Sequence, residues 1–293
     1  MPHLNYEESG DGTPLLLIHG FPLDRTMWRP QLDELSKVAR VIAPDLRGFG
    51  AVAAGDGGGD GGTGSRAARS DAAAADAGAE EDDDESAVVA PFPETLTMDD
   101  YASDLAFLLA RLDVERVVLC GLSMGGYVAM AFLARYPTAV RGLILANTRA
   151  GADNEAARAA RLAGIERART EGVGAIADGM MPKMLAEATR TKDPELVASV
   201  RAMMARQTPD AVAAALRGMI ARPDRTEWLA SVRVPTLVIT SEADTLIPPS
   251  ESEAIARGIP GARLATLSRA AHLSNLENPT AFNAVVRDFV PRT

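Results

Sequence analysis

An α/β fold with a mostly parallel central sheet is the class this sequence predicts, and three observations predict it. Short runs rich in Val, Ile and Leu recur along the chain, helical patterns separate them, and one glycine-flanked serine joins such a run to a helix. Continuous apolar runs of strand length suit strands buried on both faces, which calls for helices above and below the sheet. Strands that alternate with helices pair in parallel.

The elements follow in order. After a polar start, MPHLNYEESGDG, the first apolar run is LLLIHG at 15–20 and the second lies in RVIAPDLRG at 40–48. A helix is expected over 98–111, where Leu105, Leu108, Leu109 and Leu112 recur at helical spacing after Asp99. The strand RVVLCG (116–121) leads into a helix over 124–135, and LILANT (143–148) is the next strand. From 149 to 230 the alternation stops. Only helical patterns remain there, such as Ile176, Met180, Met184 and Val197, Val200, Met204, punctuated by Pro182, Pro194, Pro209 and Pro223. A helical lid over 149–230, inserted between two strands of a core made of 1–148 and 231–293, accounts for this. The strands TLVITSE (236–242) and ARLATLS (262–268) and a helix over 280–290 complete the chain, which has no internal repeat.

One segment stands apart. Residues 51–90 hold ten acidic and two basic residues, a net charge of −8 out of −10 for all 293 residues, together with GDGGGDGGTG and runs of alanine. With no aromatic and hardly a large apolar residue, it cannot bury enough surface to offset the entropy of ordering, so a disordered acidic loop is expected. The acidic run at 80–85 lacks the spaced ligands and fixed turn of a calcium site and reads as solvated charge.

Composition narrows the function. At 47% hydrophobic residues the chain can build a sizeable core. Its negative charge repels nucleic-acid backbones and anionic lipid, so neither nucleic acid nor a membrane is an expected partner. The single cysteine, Cys120, can form neither an internal disulfide nor a multi-thiolate metal site. With no secretory signal or apolar span to be read, a cytoplasmic location is expected.

The sharpest chemical signal is Gly121-Leu122-Ser123-Met124-Gly125-Gly126 between a strand and a helix. Glycines two before and two after the serine let the chain turn sharply and leave the hydroxyl exposed above the sheet. A serine needs a base, and there are three histidines. His3 sits in the polar start and is a bystander. His19, Asp45 and Ser123 could be written as one triad, and Ser123, Asp244 and His272 as another. The second follows the serine, acid, histidine order of an elbow-bearing sheet and is preferred. Asp244 follows the strand TLVITSE, with Glu242 a weaker rival. His19-Gly20 then shapes the loop after the third strand, whose Phe21 N–H, with that of Met124, is expected to form the oxyanion hole. Cys120 is expected to be an inert core thiol. The lid methionines Met180, Met181, Met184, Met203, Met204 and Met219 suit either core packing or an adaptable acyl pocket.

With these residues in hand, the chain resembles the α/β-hydrolase superfamily, and within it the small lid-bearing serine esterases and 3-oxoadipate enol-lactonases. The resemblance rests on His19-Gly20-Phe21-Pro22, Asp45-Leu46-Arg47-Gly48-Phe49-Gly50, the Ser123 elbow, Glu242-Ala243-Asp244 with Pro248, and His272 with Glu277-Asn278-Pro279. Two departures are Ser241, where many relatives have glycine, and the long segment after Gly50. Dehalogenases and epoxide hydrolases of this fold carry an aspartate at the elbow, which Ser123 is not. The resemblance implies a cofactor-free, metal-free serine hydrolase of small-molecule carboxylic esters or lactones. A narrower alternative is a 3-oxoadipate enol-lactonase-like enzyme, with Arg149, Arg158 or Lys183 to receive an acidic substrate. A carbon–carbon hydrolase or perhydrolase would use the same residues. A catalytically dead ligand receptor of the same fold would be expected to lose a triad residue, and this chain keeps all three.

Overall fold

The computed structural model describes residues 3–50 and 92–290. The expected acidic loop at 51–90 lies outside the described residues.

Among the described residues, seven strands form one sheet: β1 (Tyr6–Ser9), β2 (Pro14–Ile18), β3 (Arg40–Pro44), β4 (Val117–Leu122), β5 (Val140–Ala146), β6 (Thr236–Ser241) and β7 (Arg263–Leu267). Their spatial order is β1-β3-β2-β4-β5-β6-β7. Only the β1–β3 pairing is antiparallel; the others are parallel. Between them lie α1 (Arg29–Leu35), α2 (Met98–Arg111), α3 (Met124–Arg135), α4 (Glu155–Thr170), α5 (Val173–Met184), α6 (Glu187–Lys192), α7 (Pro194–Ala205), α8 (Pro209–Ala221), α9 (Pro249–Gly258), α10 (Ser274–Glu277) and α11 (Pro279–Phe289).

Successive side chains of a strand point to opposite faces. Leu16, Ile18, Leu119, Leu143 and Val238 therefore pack with Leu105, Leu108, Val128 and Phe132 of α2 and α3. Leu15, Leu17, Cys120, Ile144 and Leu237 enter the opposite core with Trp28, Leu32, Phe282, Val286 and Phe289. The apolar runs are continuous because both faces are covered. Helix α2 starts where the sequence dictates: Thr97 and Asp100 form a capping box.

Five helices, α4 to α8, occupy the stretch between β5 and β6. The methionines there are mostly packing residues, with Met181, Met184, Met203 and Met204 buried beside Leu185 and Val200.

Two readings need correction, and one strand carries no signal in the sequence. The loop carrying Phe21 follows the second strand of this chain, not the third. Strand β1, YEES, is half-exposed and polar, so it lacks an apolar run to betray it. Strand β7 is an edge, and its Arg263 and Leu264 are exposed rather than buried on both faces.

Candidate active site

Strands β2, β4, β5, β6 and β7 run in parallel, so the residues just beyond their C-terminal ends gather along one edge of the sheet. The chain winds from β2 to β3 in one direction and places β4 on the other side of β2. A crevice opens where such windings diverge, which is where ligands bind in open α/β sheets. The loops after β2 and β4 flank it.

Ser123 follows β4 and caps α3, with φ 57° and ψ −116°. This is a strained conformation for a residue with a side chain, and the surroundings enforce it. A Cβ on Gly121 would collide with the carbonyl of Gly125, and one on Gly125 with the carbonyl of Ile18. The Ser123 N–H donates to the carbonyl of Ala146 at 2.9 Å, and the Thr148 hydroxyl donates to the Ser123 carbonyl at 2.8 Å. Met124 is the first residue of α3, so its N–H is one of the donors an α-helix cannot satisfy internally.

Gly20 lies against the elbow. A Cβ there would stand 3.3 Å from the Leu122 carbonyl and 3.5 Å from Ser123 Cβ, so the backbone leading into Phe21 passes beside Ser123.

His272 and Asp244 come together at the same edge. The His272 Nδ1–H donates to Asp244 Oδ2 at 2.9 Å, and both side chains are buried. Asp244 Oδ1 accepts the N–H groups of Leu246 and Ile247, each at 2.9 Å, and Oδ2 also accepts from Asn147 Nδ2 at 2.9 Å. Burial alone would raise this carboxyl; the His272 ring, the Ile247 N–H and the Asn147 amide outweigh it and hold the carboxyl below its ordinary range. Glu242, the rival acid, is exposed.

His19 is built differently. Its Nε2 accepts the Leu46 N–H at 2.9 Å, which leaves Nδ1 to donate to the Gly20 carbonyl at 2.9 Å. Both nitrogens are engaged with backbone, and burial lowers the pKa of this neutral ring. Asp45, its partner in the alternative triad, pairs instead with the Arg25 guanidinium. His3 is exposed, within 2.7 Å of Arg111. Cys120 is fully buried and its thiol is pushed far up by burial.

The basic residues proposed for an acidic substrate are spread out. Arg149 donates to Asp153 at 2.8 Å, exposed Arg158 donates to the Ile220 carbonyl at 3.2 Å, and Lys183 is exposed.

Sequence reading missed Asn147 and Ser274, which join Ser241 behind the His272–Asp244 pair. It also missed the role of Glu277, whose carboxylate accepts the Ala271 N–H at 2.6 Å, the Ala186 N–H at 2.8 Å and the Thr189 hydroxyl at 2.6 Å. For Asn147 a signal existed: a polar amide at the C-terminal end of an otherwise apolar run.

This sheet, with its nucleophile-type elbow, defines an α/β protein of hydrolase type, and the chain belongs to the alpha/beta hydrolase fold family, whose sequence profile matches residues 13–279. The structure is similar to that of a thermophilic esterase from Thermogutta terrifontis, solved with malate bound: TM-score 0.83 and 39% identity, over 99% of this chain and 93% of that one. It is also similar to the enol-lactonase from Burkholderia xenovorans LB400, with TM-score 0.79 and 27% identity over 98% and 96% of the two chains. In sequence, 3-oxoadipate enol-lactonase 2 of Acinetobacter baylyi is 24% identical over 99% of this chain and 93% of its own length. Among the described residues, no helix is long and apolar enough to cross a membrane.

Proposed function

We propose that the protein is a serine hydrolase that cleaves carboxylic esters or lactones through an acyl-enzyme on Ser123. The observation that carries this reading is the buried His272–Asp244 pair, 2.9 Å apart, at the sheet edge where the strained Ser123 elbow stands. His272 takes the Ser123 proton as the hydroxyl attacks the acyl carbon, and Asp244 holds the ring by Nδ1 and stabilises the imidazolium. The backbone N–H groups of Phe21 and Met124 receive the oxyanion. The tetrahedral intermediate collapses as the imidazolium protonates the leaving alkoxide. Water, deprotonated by the same histidine, then releases the acid and restores Ser123.

A neutral ester is favoured over the acidic lactone of the narrower reading. Arg149 is committed to Asp153, and Arg158 to a backbone carbonyl. The similarity to the esterase of Thermogutta terrifontis points towards esters, that to the enol-lactonases towards lactones. A small-molecule substrate in a reducing, cytoplasmic setting completes the proposal.

A fluorophosphonate probe should label the parent, and Ser123→Ala should lose both labelling and turnover, on the order of 10^4-fold or more in rate, while still folding. Labelling of a folded Ser123→Ala protein would refute the assignment. A panel of p-nitrophenyl esters and small lactones, neutral and carboxylated, then separates esterase from lactonase.

A further inference from the structure

The polar groups buried behind the His272–Asp244 pair form one network centred on Asn147. Its Nδ2 lies 2.9 Å from Asp244 Oδ2 and 2.7 Å from Ser241 Oγ, and its Oδ1 lies 2.6 Å from Ser274 Oγ. Ser241 Oγ also lies against the carbonyl of Ala271, the residue before His272. Donor and acceptor roles follow without ambiguity. A carbonyl only accepts, so the Ser241 hydroxyl proton goes to Ala271 and Ser241 must accept from Asn147. A carboxylate likewise only accepts, so the amide nitrogen faces both Ser241 and Asp244. The amide oxygen then faces Ser274, which must donate. Asn147, Ser241 and Ser274 are all fully buried, and every hydrogen of the Asn147 amide is used.

Asn147 itself has φ 46°, a left-handed conformation that asparagine tolerates better than most residues. Its N–H donates to the Ile239 carbonyl on β6 at 2.9 Å, and it stands one residue before Thr148, which holds the Ser123 carbonyl. One residue thus touches the acid, the loop of the base and, through its neighbour, the elbow.

We propose that Asn147 is a positioning residue for the reaction: it fixes the plane of the Asp244 carboxylate and, through Ser241, the backbone at Ala271, so that the His272 ring is held with Nε2 free for the Ser123 hydroxyl. The inference rests on the acyl-enzyme reading. Ser241 gives this chain a tether from that amide to the histidine loop.

The test is Asn147→Gly, since glycine keeps a positive φ without strain and removes the amide together with its Cβ. It should lower kcat by roughly 10- to 100-fold with KM within about twofold, as expected when reacting groups are displaced by a fraction of an ångström to an ångström. Fluorophosphonate labelling should slow in proportion, and the low-field NMR resonance of the His272 Nδ1–H should shift or broaden. Ser241→Ala should move the same readouts in the same direction, by less. A loop tether alone would leave that resonance unmoved. If the parent takes no label, the acyl-enzyme reading fails, and the resonance still decides whether Asn147 positions the pair. A folded Asn147→Gly protein with kcat within about threefold of the parent and an unshifted resonance overturns the proposal. Should Asn147→Gly not fold, an unshifted resonance and unchanged kcat in Ser241→Ala do the same.

Discussion

The two buried histidines differ in what their nitrogens face, and that difference sets opposite expectations. His19 gives both nitrogens to backbone groups, Leu46 N–H and Gly20 carbonyl, whereas His272 gives Nδ1 to a carboxylate. His272→Ala should therefore lose about 10^4-fold or more in kcat, while His19→Gln, where it folds, should keep its chemistry and lose stability. A larger loss of kcat in folded His19→Gln than in His272→Ala would favour the alternative triad. The buried His19 ring also links stability to pH. Its folded pKa is lowered by desolvation, so below about pH 6.5 the unfolded chain takes a proton that the folded chain refuses. Stability present at higher pH is then lost as pH falls through that window, by up to about 1.4 kcal/mol per pH unit from this group. Urea midpoints at several values between about pH 7.5 and 5.5 should show a steeper fall for the parent than for His19→Gln; parallel curves would mean that His19 is not the group responsible. The catalytic candidates Ser123, Asp244 and His272 could be read from residue type, spacing and chain order. Asn147 could be singled out only as a polar amide ending an apolar run, because nothing in LILANT says that this amide points back at a carboxylate almost a hundred residues later.

At the scale of the element, close backbone approach rather than propensity decides which glycines are needed. The elbow brings α3 so near to β2 that a Cβ on Gly125 would meet the Ile18 carbonyl, and one on Gly126 would come within 2.6 Å of the Thr148 side chain. Gly125→Ala should cost more than about 3 kcal/mol, because the groups it would meet, the carbonyls of Ile18 and His19, are backbone at the end of β2. By contrast, Gly174 in the first turn of α5 has open space around it, and Gly174→Ala should stabilise by about 0.5 kcal/mol through the unfolded chain. Thermal melts of the two variants provide the check; a Gly125→Ala protein that melts with the parent would show that the elbow relaxes easily. The same distinction explains which elements were legible. Strands β2 to β6 announce themselves because burial on both faces demands unbroken Val, Ile and Leu, and their ends fall within a few residues of the apolar runs. Strand β1 is an antiparallel, polar edge, and α1 is a seven-residue helix, so neither carries a periodic signal long enough to read. For the methionines, composition left packing and pocket lining equally open, and only their burial beside Leu185 and Val200 decides for packing at most of them.

For the molecule as a whole, one carboxylate gathers the two ends of the five-helix insertion. Asp153 has a fully buried side chain and meets Arg149 at 2.8 Å, Arg161 at 2.5 Å and Arg222 at 2.9 Å. Arg149 and Asp153 lie where the chain enters the insertion, Arg161 lies on α4, and Arg222 follows α8 where the chain leaves it. Further hydrogen bonds close the same gap: the Arg225 N–H to the Ala150 carbonyl at 3.0 Å, the Arg222 guanidinium to the Gly151 carbonyl at 2.9 Å, and the Ala152 N–H to the Asp224 carboxylate at 3.1 Å. Burial would raise the Asp153 carboxyl, but Arg161 and Arg222 outweigh it and hold it below its ordinary range, so this contribution to stability is present above about pH 4 and is lost as pH falls below it. Removing the carboxylate leaves three guanidinium groups facing each other, one of them, Arg222, stacked 4.3 Å from the Tyr127 ring centroid and unable to swing into water. Breaking a buried pair in this way costs about 3–5 kcal/mol, whereas an exposed pair such as Arg201–Asp178 is screened by water and adds little. Asp153→Ala should therefore lower Tm by roughly 6 °C or more, whereas Asp178→Ala should leave it within about 2 °C. Hydrogen exchange should locate the loss at the ends of the insertion, in the amides of Ala152 and Arg225, with β4 and β5 still protected. Equal melting temperatures for the two variants would show that the arginines find other partners and that the remaining hydrogen bonds hold the two ends together.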